Sequence, residues 1–293
     1  MVIVAATREG VELVGGGAVR RTLDADVRCL TYDGARIWAG TTADGVRVSD
    51  DRGETWLDAG LAGHAVRSLA VDGSRLYAGL RPAAVWRRED GDWRPLAPFP
   101  RRRSWFWLSP AEKPHHAYVL GLAARGDVIF VGIEAGAVLR SGDGGRTWSG
   151  HRRHASRDCH GLWVEGGRAY AVGGTRPLAV SDDLGLTWRW SRAGLAGRYG
   201  WSAVSHEGAV YLAAAPVRSA HSADAHAWIH RGDGGGPWTP VVGPLSGLPR
   251  LGAGGGLVVY ALGTELHESH DSGKNWSKLG ARLSGPARAL LVV

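Results

Sequence analysis

An eight-residue phrase recurs along the chain, and it constrains the fold more than any other feature of the sequence. Four copies follow the pattern Ser-x-Asp-x-Gly-x-Thr-Trp, the last with Asn in place of Thr, and they occupy Ser49–Trp56, Ser141–Trp148, Ser181–Trp188 and Ser269–Trp276. Two degenerate copies of the repeat lie between them, at Glu89–Trp93 and Arg231–Trp238. A repeat of this kind predicts a chain built from similar small units that stack on one another.

The residue types within the phrase predict a tight structural turn. Ser and Asp side chains bond to nearby backbone amides, Gly supplies positive φ, and Trp packs between neighbouring sheets. A calcium loop is the alternative that the Asp-x-Gly runs suggest, but such a loop needs more carboxylates and a terminal Glu. We therefore expect four carboxylates to hold outer turns rather than a metal: Asp51, Asp143, Asp183 and Asp271.

A pair of short apolar segments precedes each copy at a regular distance. The segments are joined by turns such as Asp33-Gly34, Asp72-Gly73 and Glu207-Gly208, which are typical of β-hairpins. Six complete units of four strands result. The C-terminal segment 287–293 supplies one further innermost strand, and residues 2–23 supply three strands that lack one. Pairing the two ends would close a ring and remove both open sheet edges.

The phrase resembles the Asp-box (BNR) repeat, and essentially the whole chain resembles the sialidase-like superfamily of Asp-box β-propellers. We therefore expect an all-β fold, a single seven-bladed β-propeller of four-stranded antiparallel blades, with the N- and C-terminal strands paired in one blade. Seven units of ~42 residues lie within the usual propeller period. The domain spans 1–293, and its blades are expected at approximately 26–61, 65–99, 117–155, 158–197, 200–247, 249–285, and 286–293 plus 1–25.

Composition narrows the class of protein. The chain has 293 residues, 44% of them hydrophobic and 22% charged, which is typical of a globular protein. No stretch approaches ~18 uninterrupted apolar residues, so no membrane span is expected. The first ten residues reach a charged pair before an apolar signal segment forms, and two cysteines cannot build a disulfide framework. We expect a cytoplasmic location and a monomer.

One position in each unit falls at the start of the innermost strand, and these positions form a ring. Innermost strands of a propeller line the central channel, so the ring side chains should converge at its mouth. The ring consists of Arg28, Arg67, Leu120, His160, Trp201, Arg250 and Arg288. We expect all of these except Leu120 to bind a ligand. Like charges placed together repel one another unless an anion or an acid compensates.

The ring has two interpretations. In one, its arginines pair with Asp26, Glu134 and Asp158 and simply plug the channel. In the other, they form a funnel that binds an anion. The net charge of +7 permits an acidic partner without requiring one. Because the positive charge gathers in a funnel rather than in a broad stripe, nucleic acid is not expected as the partner.

Two insertions break the rhythm of the repeat, and both map to the face where innermost strands begin, here called the top face. The first spans 98–116 and contains Arg101–Arg103, Trp105, Phe106, Trp107 and Glu112; the second spans 215–228 and contains Arg218, His221, Asp224 and His226. Histidines are frequent on this face and include His115, His116, His154 and His160. They suggest a metal-dependent enzyme as one alternative, but no His-x-His or His-Glu-x-x-His spacing supports it. We assign no metal and no cofactor.

The resemblance leaves the question of catalysis open. Sialidases of this superfamily use an arginine triad, an Arg-Ile-Pro-type motif, a Tyr–Glu nucleophile pair and an acidic Asp. The chain has no Arg-Ile-Pro motif. Tyr199 with Glu134 could mimic the nucleophile pair and the ring arginines the triad, and Asp158 is a further catalytic candidate. Tyr118 is the other tyrosine available to the top face.

Two functions therefore remain ahead of the metal-dependent alternative. The favoured one is a non-catalytic propeller that binds an anionic small molecule, a glycan or an acidic protein segment, which resembles the assembly-factor members of the Asp-box group. The alternative is a glycan-active hydrolase of sialidase-like or xyloglucanase-like type with a diverged site. Paired carboxylates for such hydrolysis would come from Glu134, Asp158, Glu112 or Asp224.

Overall fold

The computed structural model describes residues 1–100, 113–216 and 226–293. Seven antiparallel sheets are arranged as a seven-bladed β-propeller, and none of the described residues is helical, so no helix among them could cross a membrane. The predicted fold class is confirmed. Part of each top-face insertion lies outside the described residues, including Arg101–Arg103, Trp105, Phe106, Trp107, Glu112, Arg218, His221 and Asp224.

The chain begins with three strands that belong to the last blade. These are β1 (Ile3–Ala6), β2 (Gly10–Gly15) and β3 (Ala18–Asp24). Blade 1 consists of β4 (Val27–Tyr32), β5 (Ile37–Thr41), β6 (Val46–Ser49) and β7 (Leu57–Asp58). Blade 2 consists of β8 (Ala65–Asp72), β9 (Arg75–Arg81), β10 (Val85–Glu89) and β11 (Asp92–Pro95). Blade 3 has β12 (Val119–Arg125), β13 (Val128–Ile133) and β14 (Val138–Ser141).

The second half of the ring repeats the pattern. Blade 4 consists of β15 (Cys159–Glu165), β16 (Arg168–Gly173), β17 (Leu178–Ser181) and β18 (Arg189–Trp190). Blade 5 consists of β19 (Tyr199–His206), β20 (Ala209–Ala215), β21 (His226–Gly232) and β22 (Thr239–Ser246). Blade 6 consists of β23 (Arg250–Gly254), β24 (Leu257–Leu262), β25 (Glu265–Ser269) and β26 (Ser277–Arg282). The innermost strand of blade 7 is β27 (Ala289–Val292).

The two chain ends meet in blade 7, as the sequence predicts. β27 pairs antiparallel with β1, and the register aligns Val292 with Ile3. The main chains of Val2 and Val293 exchange two hydrogen bonds of 2.8 and 3.0 Å. This pairing gives β1 a neighbour on both sides and supplies β27, the innermost strand, with its partner.

Blade 3 departs from the expected four strands. Its outer edge is reduced to a single bridge between Arg140 and Ser149. In blade 1 the amide of Val46 donates to the carbonyl of Gly60 in the outermost segment, at 2.9 Å. In blade 3 the equivalent amide, that of Val138, donates instead to the imidazole Nδ1 of His151, at 3.2 Å. In blade 3 the His151 side chain thus accepts the hydrogen bond that a backbone carbonyl of the outermost segment accepts in blade 1.

The loops of the eight-residue repeat, here called the repeat turns, have the geometry expected of structural turns. In the first, Asp51 Oδ1 accepts from the Thr55 amide at 2.9 Å and from the Ser49 hydroxyl at 2.7 Å. The Ser49 hydroxyl accepts in turn from the Gly53 amide at 2.7 Å. Equivalent bonds recur around Asp143, Asp183 and Asp271. The carboxylates are used inside the turns, which confirms the prediction for these residues.

The blades pack through small apolar residues at the second strand. A Cβ atom on Gly40 in β5 would lie 2.5 Å from Cys29 Sγ in the same blade and 2.7 Å from Val66 Cγ1 in the next blade. A glycine at this point of the hairpin phrase lets the innermost strands of blades 1 and 2 approach one another. That approach holds the starts of the innermost strands around a narrow central opening.

Candidate functional site

The ring residues are set apart from the regular strands by a shared backbone device. In blades 1 to 5 the pairing of the innermost strand skips one residue in a β-bulge, and the skipped residues are Arg28, Arg67, Leu120, His160 and Trp201. A bulge bends the strand and re-aims the side chain of the extra residue. At each bulge, one side chain at the mouth of the channel is therefore not bound to the in-and-out alternation of the strand's other side chains.

The structure brings all six predicted ligand-binding residues to one cavity of about 820 Å³, here called the funnel. A volume of this size suits a small molecule or a short chain segment. The three carboxyl or phenol candidates, Glu134, Asp158 and Tyr199, line the same funnel. Tyr118 and Leu120 complete the wall at blade 3. The placement follows the alignment of the repeat, while the binding role of these residues stays a prediction.

The charges divide the funnel into two halves. Arg250, Arg288, Arg28 and Arg67 lie on four consecutive blades, from blade 6 through blade 7 to blade 2. The opposite wall comes from blades 3, 4 and 5 and contains Glu134, Asp158, His160, Tyr199 and Trp201. The cavity therefore has a cationic arc that faces a wall of carboxylates and aromatic rings, two of which are phenols.

One carboxylate serves two arginines of the cationic arc. Arg28 Nε lies 3.1 Å from Asp26 Oδ1 and also donates to Thr42 Oγ1 at 2.9 Å. Arg288 donates to the same Asp26 oxygen and to the Val27 carbonyl, the latter at 3.3 Å. Asp26 was expected to neutralise part of the ring, and it does so for the two arginines at the junction of blades 7 and 1.

The other two arginines lie over aromatic rings. The Arg67 guanidinium is 4.9 Å from the centroid of Tyr118, and that of Arg250 is 4.1 Å from the centroid of Trp201. No carboxylate of the described residues lies within ion-pair distance of Arg250. Burial, together with a smaller effect of the nearby Arg288 charge, lowers the pKa of Arg250 to about 10. The group still carries its proton at neutral pH, and its charge is only partly compensated.

His160 is fixed in one orientation by the next blade. Its Nδ1 lies 2.7 Å from the Gly200 carbonyl oxygen, which can only accept, so Nδ1 carries a proton. Nε2 then faces Asp158 Oδ1 at 3.4 Å and the Tyr199 hydroxyl at 3.5 Å. The ring packs edge-on against Trp201, with centroids 5.4 Å apart. His160 thus links the carboxylate wall to the aromatic wall.

Tyr199 is held as a protonated phenol. Burial raises the pKa of Tyr199, and the charges of Asp158 and Glu134 raise it further. Gly174 makes room for this arrangement, because a Cβ atom there would lie 1.9 Å from Asp158 Oδ2 and 3.0 Å from the Tyr199 ring. The phenol is therefore suited to donate a hydrogen bond and poorly suited to act as a phenolate nucleophile.

The Cys159 thiol and the candidate metal ligands among the described residues do not form a further site. Burial raises the pKa of Cys159 to about 12, and its Sγ–H points to the Gly161 carbonyl at 3.5 Å. Among residues 1–100, 113–216 and 226–293, no group of three His, Cys, Asp or Glu side chains is arranged to hold a metal.

Sequence reasoning did not assign Tyr118 a place beneath Arg67. Tyr118 precedes β12, and its ring is buried under the guanidinium. Its position two residues before the ring residue of blade 3 is matched by Asp26, Asp158 and Tyr199, each two residues before the ring residue of its own blade. An alignment of the positions two residues before each ring residue would have identified these side chains, which lie next to the ring.

Comparisons with known proteins support the fold. No family model matches the chain, and no curated protein matches its sequence. Solved propellers do: apo AztD from Citrobacter koseri, with TM-score 0.63 and 11% identity, is covered over 97% of its length by 100% of this chain. YCF48 from Cyanidioschyzon merolae has TM-score 0.59 and 14% identity, with 86% of this chain matching 84% of that one.

A third neighbour is described as YCF48 bound to D1 peptide. It has TM-score 0.58 and 17% identity, and 87% of this chain matches 80% of it. At identities this low the similarity extends to the fold, the seven-bladed β-propeller, and not to function.

Proposed function

We propose that the protein is a non-catalytic β-propeller of the Asp-box group that binds an anionic ligand in its funnel. The observation that carries the proposal is Arg250, a half-buried guanidinium in the funnel wall that stacks on Trp201 and has no carboxylate partner among the described residues. Placing an uncompensated charge in a desolvated site costs free energy. A bound anion would recover that cost through charge-assisted hydrogen bonds.

The opposite wall limits the kind of anion. Asp158 and Glu134 would repel a ligand that carries negative charge over its whole surface, whereas the Tyr199 hydroxyl and the His160 ring offer polar contacts to an uncharged or cationic part. The funnel therefore suits a ligand with its anionic group at one end and hydroxyl or amine donors at the other. An organic acid, an acidic sugar or the end of an acidic protein segment meets this requirement.

The geometry favours binding over glycoside hydrolysis. The hydrolase alternative would use Tyr199 with Glu134 as a nucleophile pair, or a pair of carboxylates that includes Glu134 and Asp158. Because its surroundings raise the pKa of Tyr199, the phenolate is disfavoured at neutral pH. The neighbour described as bound to a D1 peptide shows that a propeller of this fold serves as a peptide-binding module in another protein.

A thermal-shift experiment tests the proposal. Wild-type protein is heated with citrate, N-acetylneuraminate, glucose 6-phosphate or a hexaglutamate peptide, each over a range of concentrations. A ligand present at 100 times its Kd adds about 2.7 kcal/mol to the free energy of unfolding, which raises Tm by roughly 5–10 °C in a domain of this size. We expect at least one of these probes to give such a shift.

The matched variants are Arg250→Met, which removes the stacked charge, and Arg87→Met, which removes an arginine of similar exposure outside the funnel that pairs with Glu89 at 3.1 Å. The ligand shift should disappear in the first variant and persist in the second. If no probe shifts the wild type, or if the Arg250→Met protein responds as the wild type does, the ring is structural packing and the proposal is wrong.

A further inference from the structure

The exposed arginines in the top loops of blades 3 and 4 lack acidic neighbours among the described residues, unlike several arginines elsewhere on the propeller. In blade 4, for example, Arg168 on β16 and Arg189 on β18 both contact Asp182, at 2.7 and 3.1 Å. Five exposed arginines in the top loops have no carboxylate at ion-pair distance among the described residues: Arg153, Arg157, Arg176, Arg192 and Arg198. This surface is cationic without local compensation.

Three of these arginines surround a second cavity, of about 410 Å³, here called the outer pocket. It lies between the connection from β14 to β15 and the loop from β16 to β17. The lining side chains that carry the argument are His151, Arg153, His154, Arg157, Arg176 and Trp190. Among the described residues no carboxylate lines it, and none of its lining residues also lines the funnel.

Several contacts hold the groups of the outer pocket in place. The Arg176 guanidinium lies 5.4 Å from the centroid of Trp190, and the ring of His154 meets the same indole edge-on at 6.1 Å. His154 has φ of 67°, a conformation that side chains other than Gly rarely adopt. Because His151 Nδ1 accepts the Val138 amide, the proton of the neutral ring is on Nε2, which is therefore a donor.

We propose that the outer pocket binds a phosphate group of a phosphorylated ligand. Three guanidiniums surround one concavity, and a phosphate dianion offers three acceptor oxygens and enough charge to engage several forks at once. A single carboxylate has two oxygens and one charge, so it satisfies one guanidinium. The site is separate from the funnel, and this proposal does not depend on the function proposed above.

The aromatic ring of the pocket supports the phosphate rather than a stacked base. Trp190 has Arg176 over one face and His154 at its edge, so the indole anchors two cationic groups. Its part is to position the cations. The shared chemistry of the ligand is thus the phosphate itself, whether on a small metabolite or on a phosphorylated side chain.

Isothermal titration calorimetry with inorganic pyrophosphate at 50 mM NaCl tests the assignment. The variant Arg153→Gln/Arg157→Gln/Arg176→Gln removes the three charges, which are all exposed, so the fold should be preserved. The matched control, Arg52→Gln/Arg94→Gln/Arg125→Gln, removes three exposed arginines from turns and an outer strand away from the top face. Circular dichroism checks that both variants are folded.

Pyrophosphate should bind the wild type and the control equally, and it should bind the pocket variant at least about tenfold more weakly. Binding should also weaken several-fold when NaCl is raised to about 200 mM. Citrate at equal concentration should not weaken pyrophosphate binding; competition by citrate that the pocket variant loses would overturn the assignment to phosphate. The proposal also fails if Arg250→Met abolishes pyrophosphate binding while the pocket variant retains it, since the site would then be the funnel.

A second comparison separates the two sources of phosphate. A phosphoserine peptide with neutral flanking residues and glucose 6-phosphate are titrated under the same conditions. Loss of binding of either probe in the pocket variant, with retention in the control, supports the site and indicates which source it prefers. If neither probe nor pyrophosphate distinguishes the two variants, the outer pocket is only a solvated basic surface.

Discussion

The guanidinium of Arg250 lies 4.1 Å from the centre of the Trp201 indole, across the boundary between blades 6 and 5. A cation over an aromatic face is stabilised by about 0.5–2 kcal/mol, which is less than the effective cost of taking a charge out of water. The contact therefore holds the side chain in position without cancelling its charge. A residue held in this way stabilises the fold poorly and suits a ligand well.

Replacing Arg250 by Met should raise the stability of the ligand-free protein. Met keeps contact with the Trp201 ring and removes both the buried charge and its repulsion with Arg288. We expect a gain of roughly 1 kcal/mol in the free energy of unfolding, measured by urea denaturation at pH 7. The control Arg87→Met breaks an ion pair with Glu89 and should be neutral or destabilising. A clear loss of stability in Arg250→Met would show that the arginine is part of the packing.

The repeat allowed much of the funnel to be predicted. Equivalent positions in a propeller lie at equal depth, so an alignment anchored on Trp38 and Tyr77 was enough to place Arg28 and Arg67 at the channel mouth. The bulges that turn these side chains inward were not predicted. A bulge changes the pairing register without changing the local composition of the strand, so a single sequence carries little trace of it.

Other features depend on contacts between segments far apart in the chain. The outermost strand of blade 3 is missing because the imidazole of His151 takes the Val138 amide, and no periodic pattern shows such a substitution. The outer pocket escaped sequence reasoning for a related reason. Arg157 and Arg176 lie in irregular loops, and their neighbourhood is set by the packing of blade 4.

The repeat turns should make the free energy of unfolding depend on pH in the acid range. Hydrogen bonds from Thr55 and Asn275 hold the pKa values of Asp51 and Asp271 at about 2, below their ordinary value. The stability that these carboxylates contribute is fully present above about pH 4 and is lost as pH falls through about 2. Circular dichroism between pH 5 and 1.5 should show destabilisation in that window.

The variant Asp51→Asn tests whether the turns are responsible. Asn cannot ionise, so its protein should be less stable at pH 7 and should lose less stability on acidification than the wild type. Asp92, an exposed carboxylate in an outer strand, supplies the control Asp92→Asn, which should follow the wild-type curve. Parallel acid profiles for Asp51→Asn and the wild type would contradict this account of the turns.

Neither cysteine should react in the folded protein. Burial raises the pKa of Cys29 and Cys159 to about 12, so the reactive thiolate is scarce at pH 8. Incubation with 5,5′-dithiobis(2-nitrobenzoate) should label less than about a tenth of the thiols in an hour, and denaturation in guanidinium chloride should release both. The variant Ser74→Cys places a thiol in an exposed hairpin turn and should react quickly. Rapid labelling of the wild type would show that the blades open more readily than their packing implies.

Gly79 should tolerate no side chain, although its backbone conformation does not require glycine. A Cβ atom at this position would lie 2.4 Å from Ser68 Oγ and 2.5 Å from Val119 Cγ1, so an added methyl group would push blade 2 away from blade 3. The Ser68 hydroxyl also donates to the Val119 carbonyl at 2.8 Å, and this bond between blades would be strained. We expect Gly79→Ala to lower the free energy of unfolding by roughly 1–3 kcal/mol in urea denaturation.

Gly15 provides the matched control for that measurement. It also lies in a strand, but a Cβ atom there meets nothing within 4 Å. Gly15→Ala should therefore stay within about 0.5 kcal/mol of the wild type or be slightly more stable, because alanine restricts the unfolded chain. Since the ring arginines depend on the spacing of the blades, Gly79→Ala should also weaken ligand binding in the funnel, whereas Gly15→Ala should not. Equal stability of the two variants would mean that the blades are less tightly packed than the close approach of Val119 to Gly79 indicates.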